Sequence, residues 1–190
     1  MRNVALLIVD MQEGFLMPSS PLYVAGGPTI VPAVERAIHA AHSAEIPVVH
    51  VIRAHRSNGI DIDVSRQDLF AAHGGVLVKD TPDVREIAEL RPSSDDLVVT
   101  KTRWSAFFAT ELDLLLRRLH IHGIVLAGVQ TPNCIRATAV DGLSLDYETF
   151  VLADATASQT TLIQESNLAD LAAMGARIIS VDQLPELLSA

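Results

Sequence analysis

The only cysteine of the chain, Cys134, lies in the segment GVQTPNCIR at residues 128–136, where a hydrophobic run gives way to a helical pattern. A thiol at the start of a helix faces unpaired backbone N–H groups and the positive end of the helix dipole. Both features favour the thiolate, which is the nucleophilic form of cysteine. The position therefore predicts a cysteine nucleophile, although a lone buried cysteine can also serve as a small core residue.

Two further residues that can do chemistry follow hydrophobic runs. Asp10 ends the run 4–9, and Lys101 follows the run 97–100. Ligands gather at the carboxyl ends of strands in an open parallel sheet, so we expect both side chains to share a cleft with Cys134. Asp10 would accept the thiol proton as a general base, and Lys101 would stabilise negative charge. Taken singly, each has a plainer interpretation, as a turn residue for Asp10 and a solvated charge for Lys101.

Hydrophobic periodicity predicts the elements that must position these residues. Six apolar, β-branched runs are typical of buried strands, at residues 4–9, 48–52, 97–100, 124–127, 149–152 and 177–181. Amphipathic stretches between them predict helices at residues 30–44, 106–119, 132–145 and 161–174. Strands that alternate with helices favour right-handed crossovers. The pattern therefore predicts a three-layer α/β/α fold, Rossmann-like, around a six-stranded, mostly parallel sheet.

Two segments interrupt this alternation, at residues 13–29 and 54–94, and both are rich in proline or glycine. Long connections in α/β domains are more often lids or binding loops than linkers. The sequence contains no internal repeat, low-complexity tract or domain boundary, so we expect one domain over residues 1–190.

Composition narrows the class of protein. The formal net charge of −9 argues against a nucleic-acid surface, because phosphate binding needs a basic patch and the lysines and arginines are scattered. The apolar run 4–9 is too short for a membrane span, and one cysteine cannot form an internal disulfide. We expect a cytoplasmic protein that acts on a small molecule and binds neither nucleic acid nor membrane.

Three motifs together resemble the isochorismatase-like cysteine hydrolases. VDMQEGF at residues 9–15 is similar to the D-x-Q-x-x-F opening of that family, and KTRWSAFF at residues 101–108 is similar to its central lysine segment. The segment 128–134 resembles its nucleophile loop, and the course from Asp141 through residues 154–157 also follows the family. The resemblance spans nearly the whole chain, with motif order and spacing intact. It is specific for the superfamily and says little about the substrate.

The resemblance implies a catalytic triad of Asp10, Lys101 and Cys134. It also implies a non-proline cis peptide bond between Val129 and Gln130, and an oxyanion hole formed by the N–H groups of Gln130 and Cys134. The expected reaction is hydrolysis of a C–N bond in a small amide, ureido or carbamoyl compound through a thioester, without a cofactor. The family commonly forms dimers or larger assemblies, so a homo-oligomer is expected as well.

Three alternatives stay open on the sequence. An isochorismatase-type hydrolase cleaves a vinyl ether by acid catalysis, but the well-known ones lack the nucleophilic cysteine. A nicotinamidase would carry an Asp-x-His metal site after the second strand, where this chain reads RAHRSNGIDID at residues 53–63. A member of the fold that binds without catalysis is the third.

The remaining candidates are substrate and metal ligands. Aromatic and guanidinium groups near a cleft can stack on a substrate or clamp its carboxylate, which makes Phe15, Arg103, Trp104 and Gln130 candidate substrate-binding residues, with Arg56 as a second possible clamp. The possible metal ligands are His55, Asp61, Asp63 and His73. Arginines flank His55, and the segment lacks a pair of histidines at helical spacing, so we predict a solvated loop and no catalytic metal.

Overall fold

Six parallel strands form one sheet in the computed structural model, which describes residues 3–189. The strands are β1 (Val4–Val9), β2 (Val48–Arg53), β3 (Leu97–Lys101), β4 (Gly123–Val129), β5 (Glu148–Ala157) and β6 (Arg177–Ile179). Their order across the sheet is β3-β2-β1-β4-β5-β6, and every neighbouring pair is parallel. The predicted sheet is confirmed, and the order is that of a doubly wound α/β fold.

Alternate residues of the central strand β1 face two separate hydrophobic clusters. Val4, Leu6 and Ile8 belong to one cluster, and Ala5 and Leu7 belong to the other. A strand buried on both faces needs a continuous apolar sequence, which is why β1 reads VALLIV without alternation. Helices therefore cover both faces of the sheet, and the three-layer prediction is confirmed.

The helices divide between the two faces. They are α1 (Glu13–Leu16), α2 (Val31–Ser43), α3 (Gln67–Ala72), α4 (Leu112–Arg118), α5 (Arg136–Ser144), α6 (Thr161–Ala173) and α7 (Leu184–Ser189). Buried residues of α2 and α7 pack in the cluster with Leu6, whereas those of α4, α5 and α6 pack in the cluster with Leu7. None of the helices within residues 3–189 has the length and apolar character needed to cross a bilayer.

The helix predicted at residues 106–119 begins only at Leu112. Residues 102–111 instead form bends and a turn, and Ala109 adopts a left-handed φ of 55° that a helix cannot contain. The backbone N–H of Ala106 donates to the hydroxyl of Thr138, 2.9 Å away on α5. The apolar residues of this segment do have helical spacing. The backbone N–H of Ala106, however, finds its acceptor on α5 and not within a helical turn.

The long connection 54–94 is packed against the body of the fold. It contains α3 and three short 3₁₀ turns, at Val64–Arg66, Pro82–Val84 and Ala88–Leu90. The side chain of Gln12 ties it to the sheet, because its Nε2 donates to the carbonyl oxygens of Arg53 and Val84 while its Oε1 accepts from the Arg53 N–H. Gln12 is fully buried, so this bridge fixes the segment over the end of β2.

Candidate active site

The candidate site lies where the strand order reverses. β1 and β4 are neighbours in the middle of the sheet, and the chain leaves them in opposite lateral directions. Asp10 directly follows β1, with a left-handed φ of 55°, and Cys134 follows β4 within one helical turn. The gap between the carboxyl ends of two such strands is the usual ligand crevice of this architecture.

The structure brings Asp10, Lys101 and Cys134 together. Lys101 is the last residue of β3, two strands from β1, and its side chain reaches back across the sheet end. Its Nζ donates to Oδ2 of Asp10 at 2.8 Å and to Sγ of Cys134 at 3.4 Å. The Asp10 and Lys101 side chains are completely buried, and Cys134 is 3% exposed. A buried ion pair of this kind is costly to form, which favours a chemical role over a purely structural one.

The nucleophile loop has the predicted backbone. The peptide bond between Val129 and Gln130 is cis, as the resemblance implied. The following residues, Thr131–Ile135, form a single π-helical turn that runs into α5, and the carbonyl oxygen of Gln130 accepts the N–H groups of Asn133 and Ile135. Wide turns of this type are frequent at functional sites. The assignment of the Gln130 and Cys134 N–H groups to an oxyanion hole stays a prediction.

The prediction of a resting thiolate at Cys134 is wrong. Burial raises the pKa of the thiol to about 11, and the negative charge of Asp10 raises it as well. The ammonium of Lys101 and the guanidinium of Arg53 lower it, but less than burial and Asp10 raise it. Desolvation of a sulfur anion acts against the thiolate, and the helix-start argument did not take it into account. Cys134 is therefore a protonated thiol at neutral pH.

Asp10 is arranged to remove that proton. Its Oδ2 is occupied by Lys101, while Oδ1 is buried and has no hydrogen-bond partner among residues 3–189. The carboxylate lies close to Cys134, because Nζ of Lys101 contacts both Asp10 Oδ2 and Cys134 Sγ. Proton transfer from sulfur to Oδ1 would convert one buried charge into another, with Lys101 in contact with both groups.

Arg53 is a site residue that the sequence analysis missed. It ends β2, in register with Lys101, and its side chain is completely buried. Its Nη2 donates to Asp63 Oδ2 at 2.8 Å and to the Thr102 carbonyl oxygen at 3.1 Å, whereas Nε and Nη1 meet no partner among the described residues. The signal was present in the sequence, because Arg53 continues the alternation of Val49 and Val51 toward the cluster that contains Cys134.

A cavity of about 350 Å³ opens beside Arg53. Two of the candidate substrate-binding residues, Arg103 and Trp104, line it, and Trp104 is 45% exposed at this surface. Arg103 donates to the carbonyl oxygens of Asp61 and Thr102. A larger cavity of about 720 Å³ lies along β3. Neither cavity is lined by a triad residue, but the smaller one is lined by Arg53, whose charge acts on Cys134, and the larger one is not. We therefore place the substrate entrance at the smaller cavity.

The other candidates lie elsewhere. Phe15 is buried in the cluster on the α2 face and does not line the cavity beside Arg53, and Gln130 is half-buried with its Oε1 accepting from Asn133. A substrate contact for either residue stays a prediction. The Arg56 side chain is 74% exposed, lies near Asp61 and does not line the cavity.

The loop that carries the possible metal ligands is not solvated at His55, which corrects the prediction. His55 is 2% exposed, and burial together with the charge of Arg53 lowers its pKa to about 4. Asp61 accepts from the backbone of Arg56, Asp63 pairs with Arg53, and His73 is exposed. Within the described ranges no group of three or more candidate ligands is arranged to hold a metal ion. A guanidinium beside His55 also disfavours a cation, so these residues do not fit a metal site, and the reaction without metal stays a prediction.

Comparison with known proteins identifies the class. The family model described as the isochorismatase domain matches residues 4–183, and the chain belongs to that family. A crystal structure of an isochorismatase family protein from Desulfovibrio vulgaris superposes with a TM-score of 0.96, at 42% identity over 100% of both chains. The recognised resemblance and the fold are thereby confirmed.

Two curated relatives differ in what their names state. A protein of Arabidopsis thaliana described as a probable inactive nicotinamidase is 37% identical over 99% of this chain and 97% of its own length. The ureidoacrylate amidohydrolase RutB of Serratia proteamaculans is 34% identical over 82% of this chain and 70% of its own length. The family relatives thus include amide hydrolases, and one relative whose name states a loss of activity.

Proposed function

We propose that this protein is a cysteine-dependent hydrolase of a C–N bond in a small amide, ureido or carbamoyl compound. The observation that carries the proposal is the position of Lys101, whose Nζ donates both to Asp10 and to Cys134 in a buried site. A thiol and a carboxylate that both contact one ammonium are the parts that acyl transfer needs. Amidohydrolase relatives support the bond type.

The first step forms a tetrahedral intermediate on Cys134. Sγ of Cys134 attacks the carbonyl carbon while its proton moves to Oδ1 of Asp10, so a C–S bond forms and the carbonyl π electrons move to oxygen. The resulting oxyanion accepts hydrogen bonds from the N–H groups of Gln130 and Cys134. We assign these two donors from the family resemblance. Each such donor contributes roughly 3 kcal/mol to stabilisation of the transition state. Coupling the proton transfer to attack is consistent with the raised thiol pKa.

The next steps form the thioester and then regenerate the free protein. The oxyanion collapses, the C–N bond breaks, and the proton held by Asp10 passes to the leaving nitrogen. Water then attacks the thioester carbonyl and gives a proton to Asp10, and the C–S bond breaks as the sulfur recovers that proton. Lys101 keeps its contact with Asp10 Oδ2 throughout and offsets negative charge on either partner.

A binding protein without catalysis is the second candidate, and the Arabidopsis thaliana relative described as probably inactive is the observation in its favour. The intact triad argues against it, because a non-catalytic pocket has no physical need for a buried ion pair beside a thiol.

A homo-oligomer stays a prediction, supported by exposed Leu114 on α4 and Val140 on α5.

Release of ammonia from a panel of small amides, ureido acids and carbamoyl compounds tests the proposal. We expect turnover by the wild-type protein with and without a chelator, and loss of turnover in Cys134→Ala and Asp10→Asn. Mass spectrometry of the wild-type protein quenched during turnover should show an acyl adduct on Cys134. Turnover that survives Cys134→Ala would overturn the mechanism, and absence of turnover across the panel would favour the binding protein.

A further inference from the structure

Arg53 lines the cavity, and its charge also acts on the thiol of Cys134. It ends β2, the strand between β1, which carries Asp10, and β3, which carries Lys101. Its charge lowers the pKa of Cys134, and its side chain forms part of the wall beside Trp104. A group bound at Arg53 would therefore lie between the cavity and the nucleophile.

The guanidinium of Arg53 has hydrogen-bonding capacity that the protein does not use. Of its five N–H donors, the two on Nη2 serve Asp63 and Thr102. Nε and Nη1, which carry the other three, are buried and have no partner among residues 3–189. Buried donors without an acceptor are costly, the more so when charged, so such an arrangement is typical of a ligand site.

The surrounding charges also favour an anion. Arg103 lines the same cavity, and its guanidinium donates only to carbonyl oxygens. The charges of Arg53, Asp10 and Cys134 all act on Arg66. Its Nη1 is buried without a partner in the described part of the chain. Neither Arg103 nor Arg66 forms an ion pair with a described carboxylate. Asp63 forms its ion pair with Arg53, and its charge also acts on Arg66.

We propose that Arg53 is a specificity-determining residue that binds a carboxylate of the substrate, with Arg103 and Arg66 adding positive charge. This inference rests on the proposed function and narrows the substrate class to small amides, ureido or carbamoyl compounds that also carry a carboxylate. A planar guanidinium with free donors matches the planar carboxylate better than any neutral group of that size. The carboxylate would hold the far end of the molecule while the amide carbonyl faces Cys134.

A matched pair of probes tests this assignment. Succinamic acid and succinamide have the same chain length and differ only in a carboxylate against a carboxamide. Ammonia release gives kcat/KM for each, and calorimetry gives a dissociation constant for each. We expect wild-type protein to prefer the acid by roughly 100-fold, because a buried charged donor group left without its anion is penalised. In Arg53→Gln that preference should fall to within about threefold, from loss of the same interaction.

Three further variants separate recognition from folding. Asp63→Asn removes the ion pair that holds Arg53 but keeps the guanidinium. The preference for the acid should therefore persist if Arg53 binds the carboxylate of the substrate. Arg56→Gln removes an exposed arginine of the same segment and should leave the preference at the wild-type value. Arg53→Lys, which keeps the charge and loses the planar fork, should retain an intermediate preference. Circular dichroism confirms that each variant is folded.

The outcomes distinguish this inference from the proposed function. Hydrolysis of both probes with equal kcat/KM by the wild-type protein would overturn the carboxylate site and leave the hydrolase standing. If neither probe releases ammonia, the dissociation constants alone decide the question. The site is supported if the wild-type protein binds the acid at least tenfold more tightly than the diamide and Arg53→Gln loses this preference. Equal affinities in wild-type protein overturn it. A preference for the acid that persists in folded Arg53→Gln also overturns it.

Discussion

Gly128 on β4 lies so close to Val9 on β1 that a Cβ atom at Gly128 would collide with the Val9 carbonyl oxygen. Its φ of 114° is also a conformation that side chains rarely adopt. These two strand ends carry Asp10 and Cys134, so the spacing between them sets the spacing of the triad. The requirement for glycine at this position is therefore a requirement of the site as well as of the fold.

The first prediction is that Gly128→Ala is severely destabilising. Backbone strain and a collision with backbone atoms should together lower the free energy of unfolding by at least about 3 kcal/mol. Urea denaturation measures the loss. Gly175→Ala is the matched control, because Gly175 has a similar φ of 108° but nothing within 4 Å of its virtual Cβ. Equal losses in the two variants would show that φ alone, and not the contact with Val9, sets the cost.

The triad could be predicted from the sequence because each of its members lies at the end of a predicted strand, and a strand end can be recognised locally. Asp10, Lys101 and Cys134 each interrupt or follow an apolar run, and parallel strands bring such ends to one edge. Arg53 has the same relation to β2 but was assigned to a solvated loop. The alternation of β2 indicates that Arg53 faces inward, but its ion pair with Asp63, ten residues later in an irregular connection, is a contact that no periodicity predicts.

The second prediction concerns the protonation of Cys134. Because Asp10 raises the thiol pKa, Asp10→Asn should lower it and accelerate alkylation by iodoacetamide near pH 8, even as it abolishes hydrolysis. Because Lys101 lowers that pKa, Lys101→Met should slow alkylation at the same pH. In the wild-type protein the rate should rise steeply with pH toward about 11. The measurement is the pH profile of the alkylation rate constant.

Slower labelling of Asp10→Asn than of wild type would contradict this account and restore a resting thiolate. The sequence argument favoured that thiolate because it considered only the helix start. It could not include the burial of the sulfur, which depends on packing between β4 and the α5 face, nor the distance to Asp10 from another strand. Long-range packing therefore reversed a prediction that local structure made.

The third prediction tests why the segment after Lys101 is irregular. Thr138→Val keeps the side-chain shape but leaves the Ala106 N–H buried without an acceptor, so the free energy of unfolding should fall by about 1 to 3 kcal/mol. Thr138→Ser keeps the hydroxyl and should retain the hydrogen bond, losing only methyl packing. Chemical denaturation of the two variants beside wild type gives the comparison. A loss in Thr138→Val no greater than in Thr138→Ser would mean that this hydrogen bond does not hold the segment.

The fourth prediction follows from the buried imidazole of His55. Its pKa in the folded protein is lowered to about 4, whereas an unfolded histidine titrates near 6.5. Between these values the unfolded chain binds a proton that the folded protein does not. His55 therefore lowers the free energy of unfolding as the pH falls from 6.5 to 4. A difference of this size corresponds to roughly 3 kcal/mol once both values have been passed.

His55→Gln removes this titration while keeping a polar side chain of similar length. We expect the variant to lose less unfolding free energy than wild type between pH 7 and pH 4.5, with the difference appearing below pH 6.5. Other acidic groups titrate in the same window in both proteins, so the difference between the two pH profiles isolates His55. Parallel profiles would place the imidazole in a solvated environment, and the burial of this loop over the end of β2 would then be wrong.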